Sequence, residues 1–264
     1  MENSIFQILS AWFTDYVRSF YSEDPFISLN IKLKEAHSLR VCKNASLISR
    51  SEKLDEDERY LAMTIALFHD IGRFEQFHKY QTFKDSASEN HALLGVRILK
   101  SEDVLSSLPP EEQEIIYEAI SFHNLRTVPE NLEQRCLFHS MLVRDADKLD
   151  ILKVLDDYYA VKDKCPNPAL ELGLPDVPEY SQYLISDILN NKISSTSGVR
   201  TCNDLRLTRL AWVFDMNFTE TFRLLVENRY IEKTMAELPG NQDMDKVHAH
   251  LKRYIDNVLS GNKE

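Results

Sequence analysis

The chain has 264 residues, of which 43% are hydrophobic and 28% charged, a composition typical of a globular protein that buries a large core. Acidic residues number 42 and basic residues 31, and the resulting net charge of −11 argues against binding to a nucleic acid polymer or an anionic membrane surface. Only 6 glycines occur, and neither the glycine-rich dinucleotide fingerprint nor the P-loop motif is present, which excludes both of those nucleotide-binding folds.

Apolar residues recur at helical spacing along almost the whole chain, which predicts an all-α fold. The third predicted helix begins with a capping-box-like pair, Asp55 and Glu58, and ends where Gly72 can adopt a left-handed conformation. After a first amphipathic helix that contains residues 5–17, the predicted helices cover residues 28–50, 55–70, 88–101, 110–124, 134–163, 178–193, 203–216, 217–237 and 241–260.

Residues 165–178 hold four prolines and Gly173, which predicts a long surface connection. The connection divides a motif-rich part, residues 1–165, from a motif-poor part, residues 166–264, which we expect to be a helical extension packed on the first part. The extension carries aromatic residues that we interpret either as core residues or as contacts in a homodimer, and both alternatives stay open. These aromatic residues are Trp212, Phe214, Phe218, Phe222 and Tyr230.

The N-terminal stretch has no basic leader, and no run reaches 18 apolar residues, so the sequence predicts neither a signal peptide nor a membrane span. The four cysteines lie far apart and form no C-x-x-C pair, as is typical of a reduced chain. We therefore expect a cytoplasmic protein without membrane contact. The acidic net charge does not exclude a small anionic substrate, because a bound metal ion can reverse the local field.

Six of the eight histidines lie between residues 33 and 139, interleaved with acidic residues near predicted helix ends. Imidazole and carboxylate are the ligand types that bind divalent ions such as Mn, Fe, Co, Ni or Zn. A single histidine on an amphipathic helix is more often packed or capping than a metal ligand, and an isolated His-Asp doublet arises by chance. The ordered set favours a metal site over those alternatives: it consists of His37, His69, Asp70, His91, His123 and Asp147.

This series resembles the HD-domain metal-dependent phosphohydrolase superfamily, which is named for its His-Asp doublet. The resemblance covers roughly residues 33–160, and its most specific elements are FHDIGRF at 68–74, HALLGVRIL at 91–99, A-I-x-x-H at 119–123 and DADKLD at 145–150. It implies an all-α helical bundle with additional C-terminal helices. The spacing of the histidines and aspartates is similar to that of the branch of the superfamily that holds two metals. The chain departs from the HD-GYP pattern after His123, where it reads Asn124-Leu125-Arg126, and this argues against a cyclic di-GMP phosphodiesterase.

The resemblance implies that one metal is held by His37, His69 and Asp147. It assigns His91 and His123 to the second metal and makes Asp70 the catalytic bridge. Asp145 and Asp147 lie near 200° apart on a helix, so only one of them should face the site. The family's pattern favours Asp147 and leaves Asp145 as the lesser alternative. The identity of the divalent metal, whether Mn, Fe, Co, Ni, Mg or Zn, is not distinguished by these ligands.

Arg73 follows the doublet and by resemblance is a catalytic and phosphate-binding candidate, against the alternative of an arginine paired with Glu75. Lys148, next to the predicted ligand Asp147, is a second candidate for binding an anionic substrate. The alternative is an ion pair with an acidic residue on its own helix. The segment from Glu75 to Asp85 is predicted to be a loop over the site. Its substrate-binding candidates are His78, Lys79 and Tyr80, with a plain surface loop as the alternative.

The predicted function is hydrolysis of a phosphoester or phosphoanhydride in a small nucleotide-like or phosphorylated metabolite, by a water molecule that the metals activate. Two alternatives stay open. One is a diiron oxygenase of the same superfamily with a similar ligand set. The other is a regulatory ligand-binding protein that retains its metals.

Overall fold

The computed structural model describes residues 1–261, and within them the regular structure is entirely helical, which confirms the all-α prediction. The chain divides into two compact units, Met1–Asp150 and Ile151–Glu264. The predicted boundary at residue 165 and the packing of the extension on the core stay predictions. No helix within residues 1–261 is both long and apolar enough to cross a membrane.

The first unit contains helices α1 to α6 and most of α7. Its helices are α1 (Asn3–Arg18), α2 (Pro25–Ser51), α3 (Glu56–Phe68), α4 (Gly72–Tyr80), α5 (His91–Ser101), α6 (Pro110–Phe122) and α7 (Gln134–Tyr159). Helix α3 packs against α1, α2 and α6, and α5 packs against α4 and α6. Helix α1 buries one side on this group, where Phe13 makes edge contacts with Phe68 and Phe74.

Side chains of the predicted capping type begin the helices that carry the histidines. Asp24 caps α2 ahead of Pro25, and Asp55 accepts a hydrogen bond from the Glu58 backbone amide at the start of α3. Asn90 accepts from the backbone amides of Ala92 and Leu93 in α5. Because a capped helix begins at a fixed residue, these side chains set where the first turn of each helix lies.

Helix α4 corrects two predictions. Gly72 does not adopt a left-handed conformation but starts α4, which runs through most of the segment predicted to be a loop, as far as Tyr80. The physical reason is a close approach of two backbones, because a Cβ atom at position 72 would lie 2.2 Å from the His91 carbonyl oxygen. Glycine is present here because α4 touches α5, not because α3 ends.

The second unit contains the end of α7 and helices α8 to α12. They are α8 (Gln182–Leu189), α9 (Cys202–Leu210), α10 (Thr219–Glu227), α11 (Tyr230–Ala236) and α12 (Gln242–Leu259). Helix α12 packs against α8, α10 and α11. Residues 165–178 contain no regular helix, as predicted. The predicted helix 217–237 is two helices, because Arg229 adopts a left-handed conformation with φ 57° and interrupts it.

Candidate metal centre

Six side chains, held by five helices of the first unit, converge on one buried cluster. His37 lies in the middle of α2, His69 and Asp70 follow the last residue of α3, and His91 is the first residue of α5. His123 follows α6, and Asp147 lies on α7. Every one of these residues was predicted as a metal ligand from the sequence, and the structure brings all six together. Within this cluster, ligand atoms no more than 4.8 Å apart occur in the groups His37–His69–Asp70, His69–His123–Asp147 and Asp70–His91–His123.

The carboxylate of Asp70 lies between two pairs of histidines. Its Oδ2 atom is 3.4 Å from Nε2 of His37 and 3.5 Å from Nε2 of His69. Its Oδ1 atom is 3.3 Å from Nε2 of His91 and 3.8 Å from Nε2 of His123. One carboxylate therefore presents one oxygen to each histidine pair, which is the arrangement that a ligand shared by two cations requires.

Asp147 faces the first of these pairs. Its Oδ1 atom lies 3.1 Å from Nε2 of His37 and 3.5 Å from Nε2 of His69. The same oxygen is buried and accepts no hydrogen bond of adequate geometry. A buried carboxylate oxygen without a hydrogen-bond donor is costly, and a cation among these atoms would remove that cost.

All four imidazoles are oriented by an acceptor behind the ring. Nδ1 of His69 lies 2.7 Å from the Ala66 carbonyl oxygen, and Nδ1 of His123 lies 2.7 Å from the Ile120 carbonyl oxygen. A carbonyl oxygen can only accept, so both Nδ1 atoms carry a proton and both rings direct Nε2 at the cluster. This is the ring state and orientation that a metal-binding histidine needs.

Carboxylates play the same part behind the other two rings. Nδ1 of His37 donates to Oδ2 of Asp150 at 2.7 Å, and Nδ1 of His91 donates to Oδ2 of Asp85 at 2.7 Å. Asp150 is fixed in turn by Arg40, whose Nε and Nη2 atoms donate to its two oxygens. Neither carboxylate was predicted as part of the site. Asp85 precedes His91 by only six positions, and this closeness was the signal available in the sequence. Asp150 lies 113 residues from His37, so no local pattern indicated that the two would pair.

The facing Nε2 atoms test whether these residues fit cations. Nε2 of His91 lies 3.0 Å from Nε2 of His123, and Nε2 of His37 lies 3.3 Å from Nε2 of His69. If both rings of a pair are neutral with Nδ1 protonated, two lone pairs face each other, which is repulsive unless a positive charge lies between them. The donor set of imidazole and carboxylate fits divalent metals, and two such pairs joined by Asp70 fit two of them.

The pKa values in the cluster show how strongly it attracts positive charge. Burial disfavours a charged His37, but the surrounding carboxylates outweigh that effect and raise its pKa to about 10. Burial likewise disfavours ionised Asp70, yet Lys34 and the histidines hold its pKa well below the usual range. Burial and the charge of Arg73 lower the pKa of His91 to about 3, which keeps that imidazole neutral. Without a bound cation, a proton on His37 balances part of the negative charge.

Lys34 is a further residue that sequence reasoning missed. Its Nζ atom lies 2.6 Å from Oδ2 of Asp70, and the side chain is 13% exposed. Lys34 precedes His37 by three positions, so both lie on one face of α2, and this spacing was the signal available in the sequence. The lysine therefore stands at the solvent side of the cluster, where an incoming anion would meet it.

Arg73 lies beside the cluster with part of its donor capacity occupied. Its Nη1 atom donates to Oε1 of Gln76, to the Phe83 carbonyl oxygen and to Oδ1 of Asp85. Its buried Nε atom lies 3.4 Å from Oδ1 of Asp70 and makes no hydrogen bond. The alternative of pairing with Glu75 is therefore not observed: Arg73 holds the segment that precedes α5, and one of its donors still faces the cluster.

The other predicted substrate-binding residues lie at various depths. His78, Lys79 and Tyr80 are exposed at the end of α4, where His78 contacts the Phe20 ring and Lys79 pairs with Glu75. Lys148 is buried on α7. Their predicted contacts with substrate stay predictions, and α4 rather than a loop now carries the first three.

The comparisons with known proteins agree with this geometry. The family model for the HD domain matches residues 35–152, a range that contains all six residues of the cluster. Neither a curated protein nor a solved structure matches the chain. The chain therefore contains an HD domain, the fold of a metal-dependent hydrolase superfamily.

Proposed function

We propose that the HD domain of this chain is a metal-dependent phosphohydrolase with two divalent metals, and that it acts on a small phosphorylated metabolite or nucleotide. The observation that carries the proposal is the position of Asp70, with one carboxylate oxygen directed at each histidine pair. His37, His69 and Asp147 would hold one ion, and His91 and His123 would hold the other. Two bound divalent ions would supply Lewis-acid polarisation of a phosphoryl oxygen and acidify a water molecule.

The cations beside the cluster support an anionic substrate despite the acidic net charge of the chain. Lys34 contacts Oδ2 of Asp70, and Arg73 directs a free Nε donor towards Oδ1 of the same residue. Both side chains reach solvent, with 13% and 14% of their surface exposed. Once Asp70 is shared with metal ions, these two cations would be free to bind and orient phosphoryl oxygens, which is the main task in phosphoryl transfer.

The residues behind the rings would keep the histidines in the ligating form. The Asp150 and Asp85 carboxylates and the Ala66 and Ile120 carbonyl oxygens hold the Nδ1 protons away from the cluster. Since these partners come from the protein, the rings are oriented before any ligand arrives. Such preorganisation raises metal affinity, because little ordering remains to be done on binding.

The test is a phosphate-release screen on protein stripped of metal and reloaded separately with Mn, Mg, Co, Ni, Zn or Fe(II). The substrates are nucleoside mono-, di- and triphosphates, dinucleoside polyphosphates and sugar phosphates. Asp70→Asn, which keeps the side-chain size, is the inactive reference, and Asp57→Asn on the exposed start of α3 is the matched control. Metal-dependent release by the wild type and the control but not by Asp70→Asn supports the proposal.

Three results would overturn it. Turnover only with iron and oxygen, without phosphate release, would identify the oxygenase alternative. Metal binding without turnover of any substrate in the screen would favour the regulatory alternative. Full activity of Asp70→Asn would remove the assigned role of the shared carboxylate.

A further inference from the structure

Three cationic side chains gather around the ring of Tyr159 in the second unit, and none of them belongs to the candidate metal centre. The Cζ atom of Arg206 lies 4.7 Å from the ring centroid, and Nζ of Lys162 lies 5.9 Å from it. Arg209, one turn after Arg206 on α9, interacts electrostatically with the same tyrosine. We call Lys162, Arg206 and Arg209 the cationic cluster. Because all three interact with Tyr159, their charges lie close together.

Both arginines of the cationic cluster are buried and have unused donors. Arg206 is 3% exposed and Arg209 is 8% exposed. Nε of Arg206 and Nη1 of Arg209 are both buried and have no hydrogen-bond acceptor among the described residues. Buried guanidinium groups are normally paired with carboxylates or other acceptors, because an unpaired buried charge is costly. Two unused donors one helical turn apart need an explanation.

The protein supplies too little negative charge to neutralise the cationic cluster. Asp176 is the carboxylate in contact with it, pairing with Lys162 and accepting from Nη1 of Arg206 at 3.1 Å. The same Nη1 atom donates to the neutral Oδ1 of Asn203 at 2.7 Å. Glu171 acts on Lys162 only from a distance. Burial lowers the pKa of Arg209, which is consistent with a guanidinium that lacks a carboxylate partner.

We propose that the cationic cluster is a binding site for a small phosphate-bearing anion, whose oxygens accept hydrogen bonds from Nε of Arg206 and Nη1 of Arg209. Guanidinium groups bind phosphate with several donors at once, and the ammonium of Lys162 adds a point charge at the rim. The rim is open to solvent, since Lys162 is 22% exposed and Asp176 is 39% exposed. A carboxylate ligand would share the same donor chemistry, and the test separates the two.

The test is calorimetric titration of the full chain, stripped of metal so that phosphate cannot bind through metal ions in the HD domain. Inorganic phosphate and pyrophosphate are the probes, malonate is the carboxylate probe, and chloride keeps the ionic strength constant. We expect saturable binding of one phosphate or pyrophosphate per chain and weaker binding of malonate. Arg209→Leu should weaken phosphate binding at least about tenfold, as expected for the loss of a charged hydrogen bond. Arg253→Leu, which removes the same charge from an exposed position on α12, should not.

A second variant and a stability measurement guard against misfolding. Lys162→Met changes a partly exposed side chain, so we expect it to fold and to bind phosphate several-fold more weakly. The thermal midpoint of the wild type should rise with phosphate, and that of Arg209→Leu should not. Absence of phosphate binding by the wild type would overturn the proposal. So would undiminished binding by Arg209→Leu and Lys162→Met, which would place the anion elsewhere, and so would tighter binding of malonate than of phosphate.

Discussion

Replacement of Gly72 by alanine tests whether contact between two helix backbones positions the cluster. The added Cβ would lie 2.2 Å from the His91 carbonyl oxygen and 2.7 Å from the Gly95 amide nitrogen, both on α5. Ordinary contact begins near 3.4 Å, so α4 and α5 must separate by about 1 Å. No side-chain rotation can relieve this overlap, since both contacted atoms belong to the backbone.

The expected cost follows from this displacement. Overpacking of this kind costs about 1–3 kcal/mol, and the better helix propensity of alanine returns about 0.8 kcal/mol. The difference is a loss of about 0.2–2.2 kcal/mol in the free energy of unfolding, and we expect the upper end, about 2 kcal/mol, because the contacted atoms are backbone. Since α5 begins at His91 and α4 follows Asp70 by two residues, the separation also moves two proposed ligands apart. Metal distances tolerate about 0.2 Å, so metal affinity should fall at least about tenfold.

Urea unfolding of metal-free protein measures the loss in the free energy of unfolding. Metal titration against a competing chelator measures the fall in metal affinity. Gly95→Ala is the matched control, because its Cβ would lie 3.0 Å from Cγ2 of Ile71 and 3.3 Å from the Gly72 nitrogen, which are much smaller overlaps. We expect the control to lose less than about 1 kcal/mol and to bind metal normally. Equal stability and equal metal affinity for the two variants would refute the argument from backbone contact.

Three further predictions concern two residues beside the cluster and a partly exposed carboxylate, Glu58, elsewhere in the first unit. Asp150→Asn removes the carboxylate behind His37, so metal affinity measured by chelator competition should fall about 10- to 100-fold. Lys34→Met removes a cation that competes for Oδ2 of Asp70, so the same measurement should show affinity rising about tenfold. Hydrogen bonds from His139 and then from Arg135 lower the pKa of Glu58 from 4.5 to about 2. Ionised Glu58 therefore stabilises the folded chain above pH 4.5, and this stabilisation is lost as the pH falls towards 2. With allowance for partial exposure, Glu58→Gln should remove about 2 kcal/mol of that acid dependence in urea unfolding of metal-free protein.

Each of these predictions has an outcome that contradicts it. Unchanged affinity in Asp150→Asn would mean that the carboxylate does not orient His37. Weaker metal binding in Lys34→Met would mean that the lysine holds Asp70 in place rather than competing for it. For Glu58, an acid dependence as steep in the glutamine variant as in the wild type would show that other carboxylates govern it.

The ligand set followed from the family resemblance, and four of its six residues stand at helix ends marked by local signals. His69 and Asp70 follow the apolar run of α3, and His91 follows the capping residue Asn90, so their places could be derived from neighbouring residues. Arg229, which divides a predicted helix in two, carried no comparable signal, because its left-handed conformation is not a preference of arginine.

Residues that act through tertiary contacts were harder to predict. Asp150 reaches His37 only once α2 and α7 have come together, and no local pattern indicates which of the acidic residues on α7 will do so. Gly72 was interpreted as the end of a helix because glycine commonly occupies that position. Its actual role depends on the closeness of α5, which a single sequence does not display.

Metal content per chain tests the central claim most directly. Wild type, Asp70→Asn and the exposed control Asp57→Asn would be loaded with Mn, freed of unbound ions and analysed by inductively coupled plasma mass spectrometry. We predict about two ions per chain in the wild type and in the control, and almost none in Asp70→Asn, because one carboxylate is proposed to serve both ions. Two ions retained by Asp70→Asn, or none bound by the wild type, would contradict the account.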